Sequence, residues 1–299
     1  MDDVLMFSNG LAAAVERAGR AVVGVHGRPR LGSTGVHWRA GLVVTADHAV
    51  HMDDDVTVTC PDGRVVPASV AGRDPALDVA ILRVNAPEVA VGDVADSEAI
   101  RVGHLVMALG HGPRASWGVV SAIGEAGGAR GAAGPLFHLD LTLYPGFSGG
   151  PLIDVHGRIV GMNTSGAARR LHVAVPAAAV NRVVEEFVRR GRIPRPRLGV
   201  ATQPVRLPEA LRRGLDREQH TAVIVVDVQS ESPAADAGLL IGDIIVALGG
   251  TPITGPADLR TVLRPERVGE SLTVTVLRGG QPRDLPVVVG ERPPRSGQR

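Results

Sequence analysis

Pro145-Gly146-Phe147-Ser148-Gly149-Gly150-Pro151-Leu152 sets a serine among glycines, directly ahead of an apolar run. Such a stretch makes a tight turn, and backbone N–H groups in a tight turn can point at a substrate oxygen. A tetrahedral intermediate needs such donors to stabilise its developing negative charge. Serine between glycines also occurs in ordinary linkers, so the octapeptide needs partners before it implies chemistry. A nucleophilic serine requires a base, and the base requires an orienting group. His48 lies in Val44-Thr45-Ala46-Asp47-His48-Ala49-Val50, just after the apolar run 41–44. Asp78 lies in Leu77-Asp78-Val79-Ala80-Ile81-Leu82, where an acid interrupts an apolar strand, a costly placement unless the charge has a partner. Singly, His48 reads as well as a satisfied histidine at a strand end, and Asp78 as a turn cap.

Around these residues the chain has 299 positions, more than one ordinary domain and fewer than three, so two folded units are expected. Its 44% hydrophobic and 21% charged composition is that of a globular protein able to bury a core. Thirty-two basic residues balance thirty-one acidic ones, which argues against a nucleic-acid partner. Every basic residue is Arg, so a lysine Schiff base, a Ser–Lys dyad and a Walker A lysine are all excluded. A single cysteine, Cys60, excludes an intrachain disulfide and a cysteine-based zinc site. No run reaches the roughly 18 apolar residues of a membrane-spanning helix. Met1-Asp2-Asp3 opens with acid where a signal peptide opens with base, which leads to a cytoplasmic expectation. A trimmed N-terminus would make the chain periplasmic or otherwise extracytoplasmic instead.

Residues 5–19 fit a short amphipathic helix through Leu5, Met6, Leu11, Val15 and Ala18, so 1–19 is an N-terminal helical segment. Between 20 and 176 the pattern changes to short Val-rich runs separated by Gly, Pro and Asp. Many short strands at that spacing predict an all-β sandwich or barrel. Residues 177–190 then read as a helix with Val180, Val183, Val184 and Phe187 on its apolar face and Gly191 as its stop. With the Pro/Arg stretch 192–197 they form a linker, 177–197. Residues 198–290 alternate strand-like runs (222–228, 244–248, 272–277, 286–289) with helical patterns (233–238, 256–264), which describes a small α+β domain. The tail 291–299 is expected to be disordered.

Together, TADHAV, DVAIL and GFSGGPL in the order His, Asp, Ser resemble the chymotrypsin-like serine peptidases, which use that order. Ala108-Leu109-Gly110, Gly118-Val119-Val120-Ser121-Ala122, His138-Leu139-Asp140 and Val173-Ala174-Val175-Pro176 extend the resemblance to the bacterial HtrA/Deg family. It implies an all-β two-barrel peptidase domain over 20–176. By position, Ser148 is the nucleophile, His48 the general base and acid, and Asp78 the residue that holds the imidazole. The N–H groups of Gly146 and Ser148 form the oxyanion hole. Thr142 and Leu143 wall a specificity pocket for small or medium hydrophobic residues. Met162, Asn163 and Thr164 belong to an edge strand to which substrate backbone adds. Phe147 departs from the Asn usual in the family, which leaves the exposure and conformation of its turn open. Asp47 departs from the small residue or Asn usual beside the histidine.

The second unit resembles a PDZ domain through Arg197-Leu198-Gly199-Val200, SPAADAGL and GDIIVALGG. Leu198, Gly199 and Val200 would form the loop that binds a peptide's C-terminal carboxylate. The resemblance implies an ATP-independent serine endopeptidase acting on unfolded or misfolded proteins, assembled as a homotrimer, with no cofactor and no metal. His48 and His51 ahead of Asp53, Asp54 and Asp55 lack a convincing further ligand and read as a solvated turn. The rival from another class is a non-proteolytic peptide-binding or chaperone protein whose peptidase site is held inactive. Phe147 favours it, and an intact triad opposes it.

Overall fold

A computed structural model describes residues 2–27, 32–51, 56–112, 114–124, 135–166, 171–191, 196–212, 215 and 218–291. The chain divides into two units, Met1–Ile193 and Pro194–Arg299. Most of the connector 192–197, the acidic stretch 53–55 and the tail beyond 291 lie outside the described residues.

The first unit opens with α1 (Asp2–Gly19). This helix begins three residues earlier than its apolar spacing predicts. Asp2 and Asp3 occupy its first turn, where negative charge meets the positive end of the helix dipole. The strands β1 (Val22–His26), β2 (Ser33–Arg39), β3 (Leu42–Ala46), β4 (Val56–Thr59), β5 (Val65–Asp74) and β6 (Val79–Val84) follow. They close into an antiparallel barrel in the order β1-β2-β3-β6-β5-β4. The strands β7 (Leu105–Gly110), β8 (Arg114–Gly124), β9 (Leu136–Asp140), β10 (Pro151–Ile153), β11 (Ile159–Thr164) and β12 (Val173–Pro176) close a second barrel in the order β10-β11-β12-β9-β8-β7. Strands with this Val content pack well on a pleated surface, and closure removes the unpaired edges an open sheet would expose.

Val25, Val43, Val58 and Leu82 fill the first barrel, and Val106, Val120, Phe137 and Leu152 the second. A third cluster joins Trp38, Ile81, Leu109 and Met162 to α2 (Ala177–Arg190) through Val180, Val184 and Phe187. The Trp38 indole donates to Asn181 Oδ1 at 2.8 Å, which fixes the register of α2 on the barrels. This helix ends as its sequence indicates, at Gly191 in the left-handed region with its N–H on the Phe187 carbonyl. Read as linker from sequence, α2 is therefore part of the first unit's core.

The second unit contains β13 (Pro196–Arg197), β14 (Val200–Arg206), α3 (Glu209–Arg212), β15 (Thr221–Val228), α4 (Pro233–Asp236), β16 (Ile244–Leu248), β17 (Thr251–Pro252), α5 (Pro256–Val262), β18 (Ser271–Arg278), β19 (Gln281–Val288) and β20 (Gly290–Glu291). Its main sheet runs β14-β15-β16-β18-β19, so β14 is an edge strand, and α5 packs beside it. Val223, Ile245, Leu248, Val274 and Val276 form its core.

Candidate active site

Strand β3 delivers the chain into a single 3-10 turn, Asp47–Ala49, which presents His48. Asp78 sits immediately before β6 with φ 58°, a left-handed conformation that Asp tolerates better than bulkier residues. That conformation turns its carboxylate back toward the turn. Oδ1 accepts the His48 backbone N–H at 2.9 Å, and Oδ2 lies 2.7 Å from His48 Nδ1. Thr164 Oγ1, at the end of β11, also donates to Asp78 Oδ2. The acid that interrupts an apolar strand thus has three donors, which answers its desolvation cost. With Nδ1–H on the carboxylate, the other ring nitrogen, Nε2, is left as a base.

The backbone closes over this pair at Gly166. A Cβ there would stand 2.5 Å from His48 Nδ1 and 2.6 Å from Asp78 Oδ2, so only glycine fits. Gly166 N–H donates to Thr164 Oγ1 at 2.9 Å, which orients that hydroxyl's proton toward the acid.

Ser148 comes from the second barrel, and the first barrel anchors its loop. The Ser148 carbonyl accepts Ser33 Oγ at 2.5 Å and the Thr34 N–H at 3.1 Å, and the Gly146 carbonyl accepts Thr34 Oγ1 at 2.6 Å. Among the described residues, nothing in the protein accepts from the N–H groups of Gly146 or Ser148. Both are free to donate to an incoming oxyanion. Ser148 Oγ makes its hydrogen bonds to Ser165, at 3.0 Å to the hydroxyl and 3.3 Å from the N–H, and none to His48.

Two closed six-stranded barrels, with a histidine–aspartate pair on one and a serine in a glycine-rich turn on the other, define a chymotrypsin-like peptidase. Residues 33–162 match the trypsin-like peptidase domain family, and residues 196–289 match the PDZ domain family. The chain belongs to the trypsin-like peptidases with a PDZ domain, and its homologues are of the DegP/HtrA kind. A Brucella suis protein described as "Probable periplasmic serine endoprotease DegP-like" is 34% identical over 288 residues, covering 91% of this chain and 55% of the relative. A Pseudomonas putida protein of the same description is 32% identical over 272 residues, covering 88% and 56%. The chain therefore spans about half the length of the curated relatives it matches. The structure of the HtrA-type protease AlgW with a decapeptide is 26% identical, with a TM-score of 0.70, and covers 95% of this chain and 99% of that one. The Yersinia pestis serine endoprotease structure is 26% identical with a TM-score of 0.66, covering 94% and 97%. The Brucella suis and Pseudomonas putida relatives are described as periplasmic and lend no support to a cytoplasmic placement. Among the described residues no helix is long and apolar enough to cross a membrane.

The remaining expected site residues divide. Thr142 is exposed and Leu143 is half-buried, its N–H donating to His172 Nδ1 at 2.8 Å. Met162 and Asn163 are not on an edge, and Thr164 is paired with Val173 of β12 alone. Strand β11 is paired with β10 on one side and β12 on the other, and all three side chains are fully buried. Met162 is core, and Asn163 Nδ2 donates to the Pro151 carbonyl at 2.8 Å. The expectation of substrate addition is corrected at Met162 and Asn163, which are paired on both sides; the strand's β10 side is open from Thr164 to the exposed Ser165. Thr164 holds Asp78, a role that spacing could not reveal because the two are 86 residues apart. Thr34 was equally missed, because β2 (STGVHWR) reads as ordinary and its full burial, which would signal that something nearby needs its hydroxyl, is visible only in the structure. Asp47 is engaged by Arg73 at 2.6 Å, whose charge offsets its own.

In the second unit, Leu198 is buried in the core, its carbonyl accepting the Ala234 N–H, and the Gly199 carbonyl accepts the Gln229 N–H. Among the described residues the Leu198 and Gly199 N–H groups have no acceptor within the protein. Val200 begins β14, whose outer edge is unpaired.

Proposed function

We propose that the chain is an ATP-independent serine endopeptidase for unfolded or misfolded proteins, working through His48, Asp78 and Ser148 without cofactor or metal. The observation that carries this reading is the carboxylate of Asp78 clasping both the N–H and the ring of His48, opposite a serine whose neighbouring N–H groups stand free. In the reaction, Ser148 Oγ attacks the scissile carbonyl as its proton passes to His48 Nε2. The carbonyl oxygen, now negative, is received by the N–H groups of Gly146 and Ser148. His48 then gives the proton to the leaving amine, while Asp78 steadies the imidazolium. Thr142 and Leu143 border the space for a small or medium hydrophobic side chain.

Leu198, Gly199 and Val200 receive the C-terminal carboxylate of a peptide, whose backbone adds to β14. The chain works in the periplasm or another extracytoplasmic compartment, in line with the descriptions of its relatives. It assembles as a homotrimer, for which the exposed Val4, Leu5, Met6 and Phe7 of α1 provide an apolar surface.

The test is hydrolysis of casein and labelling by a fluorophosphonate. The wild-type chain is expected to do both and Ser148→Ala neither, a loss of about 10⁶ in kcat by analogy with other triads. The bond from Ser148 Oγ to Ser165 in place of His48 favours the second reading, a peptide-binding protein with an inactive peptidase site. Absence of labelling in the wild-type chain would establish that reading instead.

A further inference from the structure

A backbone N–H has no torsion of its own. It lies in the plane of its peptide bond, antiparallel to the carbonyl of the preceding residue. Whatever holds the Phe147 carbonyl therefore aims the Ser148 N–H, and whatever holds the Pro145 carbonyl aims the Gly146 N–H. The first is settled inside the loop, where the Phe147 carbonyl accepts the Gly150 N–H at 3.0 Å. The second is not. Pro145 O is reached from outside the loop by Arg114 Nη1, at 3.4 Å, from the first residue of β8.

Arg114 is itself held in two ways. Its Nε donates to the His111 carbonyl at 3.1 Å, and its guanidinium stands 5.5 Å from the centroid of the Phe147 ring. That ring is only 1% exposed. It lies against Gly110, where a Cβ would come within 2.5 Å of two ring carbons, and Tyr144 meets it edge-on at 5.6 Å. An aromatic face attracts a guanidinium as no asparagine side chain would. The residue that looked from sequence like an obstacle to activity is thus the seat of the arginine that reaches the loop.

We propose that Arg114, seated on Phe147, is a positioning residue that holds the Pro145–Gly146 peptide with its N–H turned toward Ser148. The oxyanion hole is then set by this chain's own side chains before any substrate or PDZ ligand arrives. Without that hold, the freedom of Gly146 lets the peptide turn and withdraw one of two donors. The proposal rests on the serine peptidase reading above.

The experiment uses the full chain as wild type, Arg114→Ala, Arg114→Lys and Phe147→Leu. It measures kcat and KM on a chromogenic peptide, fluorophosphonate labelling and melting temperature. Loss of a whole oxyanion donor typically lowers kcat about 10²–10³-fold, and a donor misaimed part of the time should lower it less, about tenfold. Arg114→Ala is expected to lose about that factor in kcat with KM and melting temperature unchanged, because the donor acts only in the transition state. Arg114→Lys should recover part of the loss, and Phe147→Leu should reproduce it by removing the ring that seats the guanidinium. Arg114 is exposed, so its alanine variant decides the matter even if Phe147→Leu is unstable. An Arg114→Ala enzyme with kcat within about twofold of wild type, or with its whole loss in KM, would overturn the proposal. A wild-type chain that neither cleaves nor labels would instead overturn the peptidase reading itself.

Discussion

The hydroxyl of Ser165 holds Ser148 Oγ at 3.0 Å, away from any bond to His48. One neutral hydrogen bond is worth about 1 kcal/mol net, or roughly fivefold in an equilibrium. Ser165→Ala should therefore release Ser148 Oγ toward the imidazole and raise the fluorophosphonate labelling rate by up to about that factor. A lowered rate would mean that Ser165 assists the nucleophile. Cys60 is only 1% exposed, and its thiol is pushed up first by burial and then by the negative charge of Asp62. A protonated, buried thiol is a poor nucleophile. It should resist a thiol reagent until the chain unfolds, and a reductant should alter neither activity nor melting temperature. Rapid labelling of the native protein would contradict the burial. At this scale the sequence singled out His48, Asp78 and Ser148, because each stands in a short segment whose neighbours carry the information. It offered Thr164 in another role and was silent about Ser165 and Arg114, because their significance lies in contacts with residues distant in sequence.

Strand β11 shows how an element can be found correctly and misread in its setting. Its run of apolar residues was visible, but whether a strand is an edge depends on its neighbours, and β10 and β12 leave it none before Thr164. The second unit offers a sharper test of what element-level contacts contribute. Asp243, between α4 and β16, is 1% exposed at its side chain, with Arg278 of β18 against it at 2.7 Å. Burial alone would raise this carboxyl. The hydrogen bond from Arg278, a further one from the Leu240 N–H and the positive charges of Arg278 and Arg283 outweigh it and hold the carboxyl below its usual range. A carboxyl depressed in the folded state adds stability that is fully present above its unfolded value, about 3.9, and is lost as the pH falls through the folded value. The melting temperature of the second unit should accordingly drop below about pH 4, and Asp243→Asn should flatten that dependence. Arg278→Met leaves the carboxylate buried and unpaired. It should cost about 3 kcal/mol, the low end for such pairs because Arg278 is 26% exposed. Equal melting temperatures for wild type and Arg278→Met at neutral pH would show that the pair contributes nothing.

For the molecule as a whole, the division into Met1–Ile193 and Pro194–Arg299 places His48, Asp78 and Ser148 in one unit and the PDZ fold in the other, so the proposed activities of the two should be separable. A chain ending at Ile193 is expected to cleave a short chromogenic peptide at close to the full rate while processing casein poorly. Equal loss on both substrates would mean that the second unit supports the active site itself. The two-unit organisation was legible in composition and punctuation, but the place of α2 was not, since an amphipathic helix does not announce which core it will cover. A different matter follows from the unpaired edge of β14. A strand that recruits extended peptides by its backbone is equally a template for another copy of itself, and so a standing hazard of aggregation. Here the strand carries its own brake. Pro204 lies in the second half of β14 and offers no N–H, so that position cannot donate to an added strand. A chain added along the whole of β14 meets that gap in its ladder, so a short tail pairing along Val200–Gln203 loses nothing by it while a longer strand does.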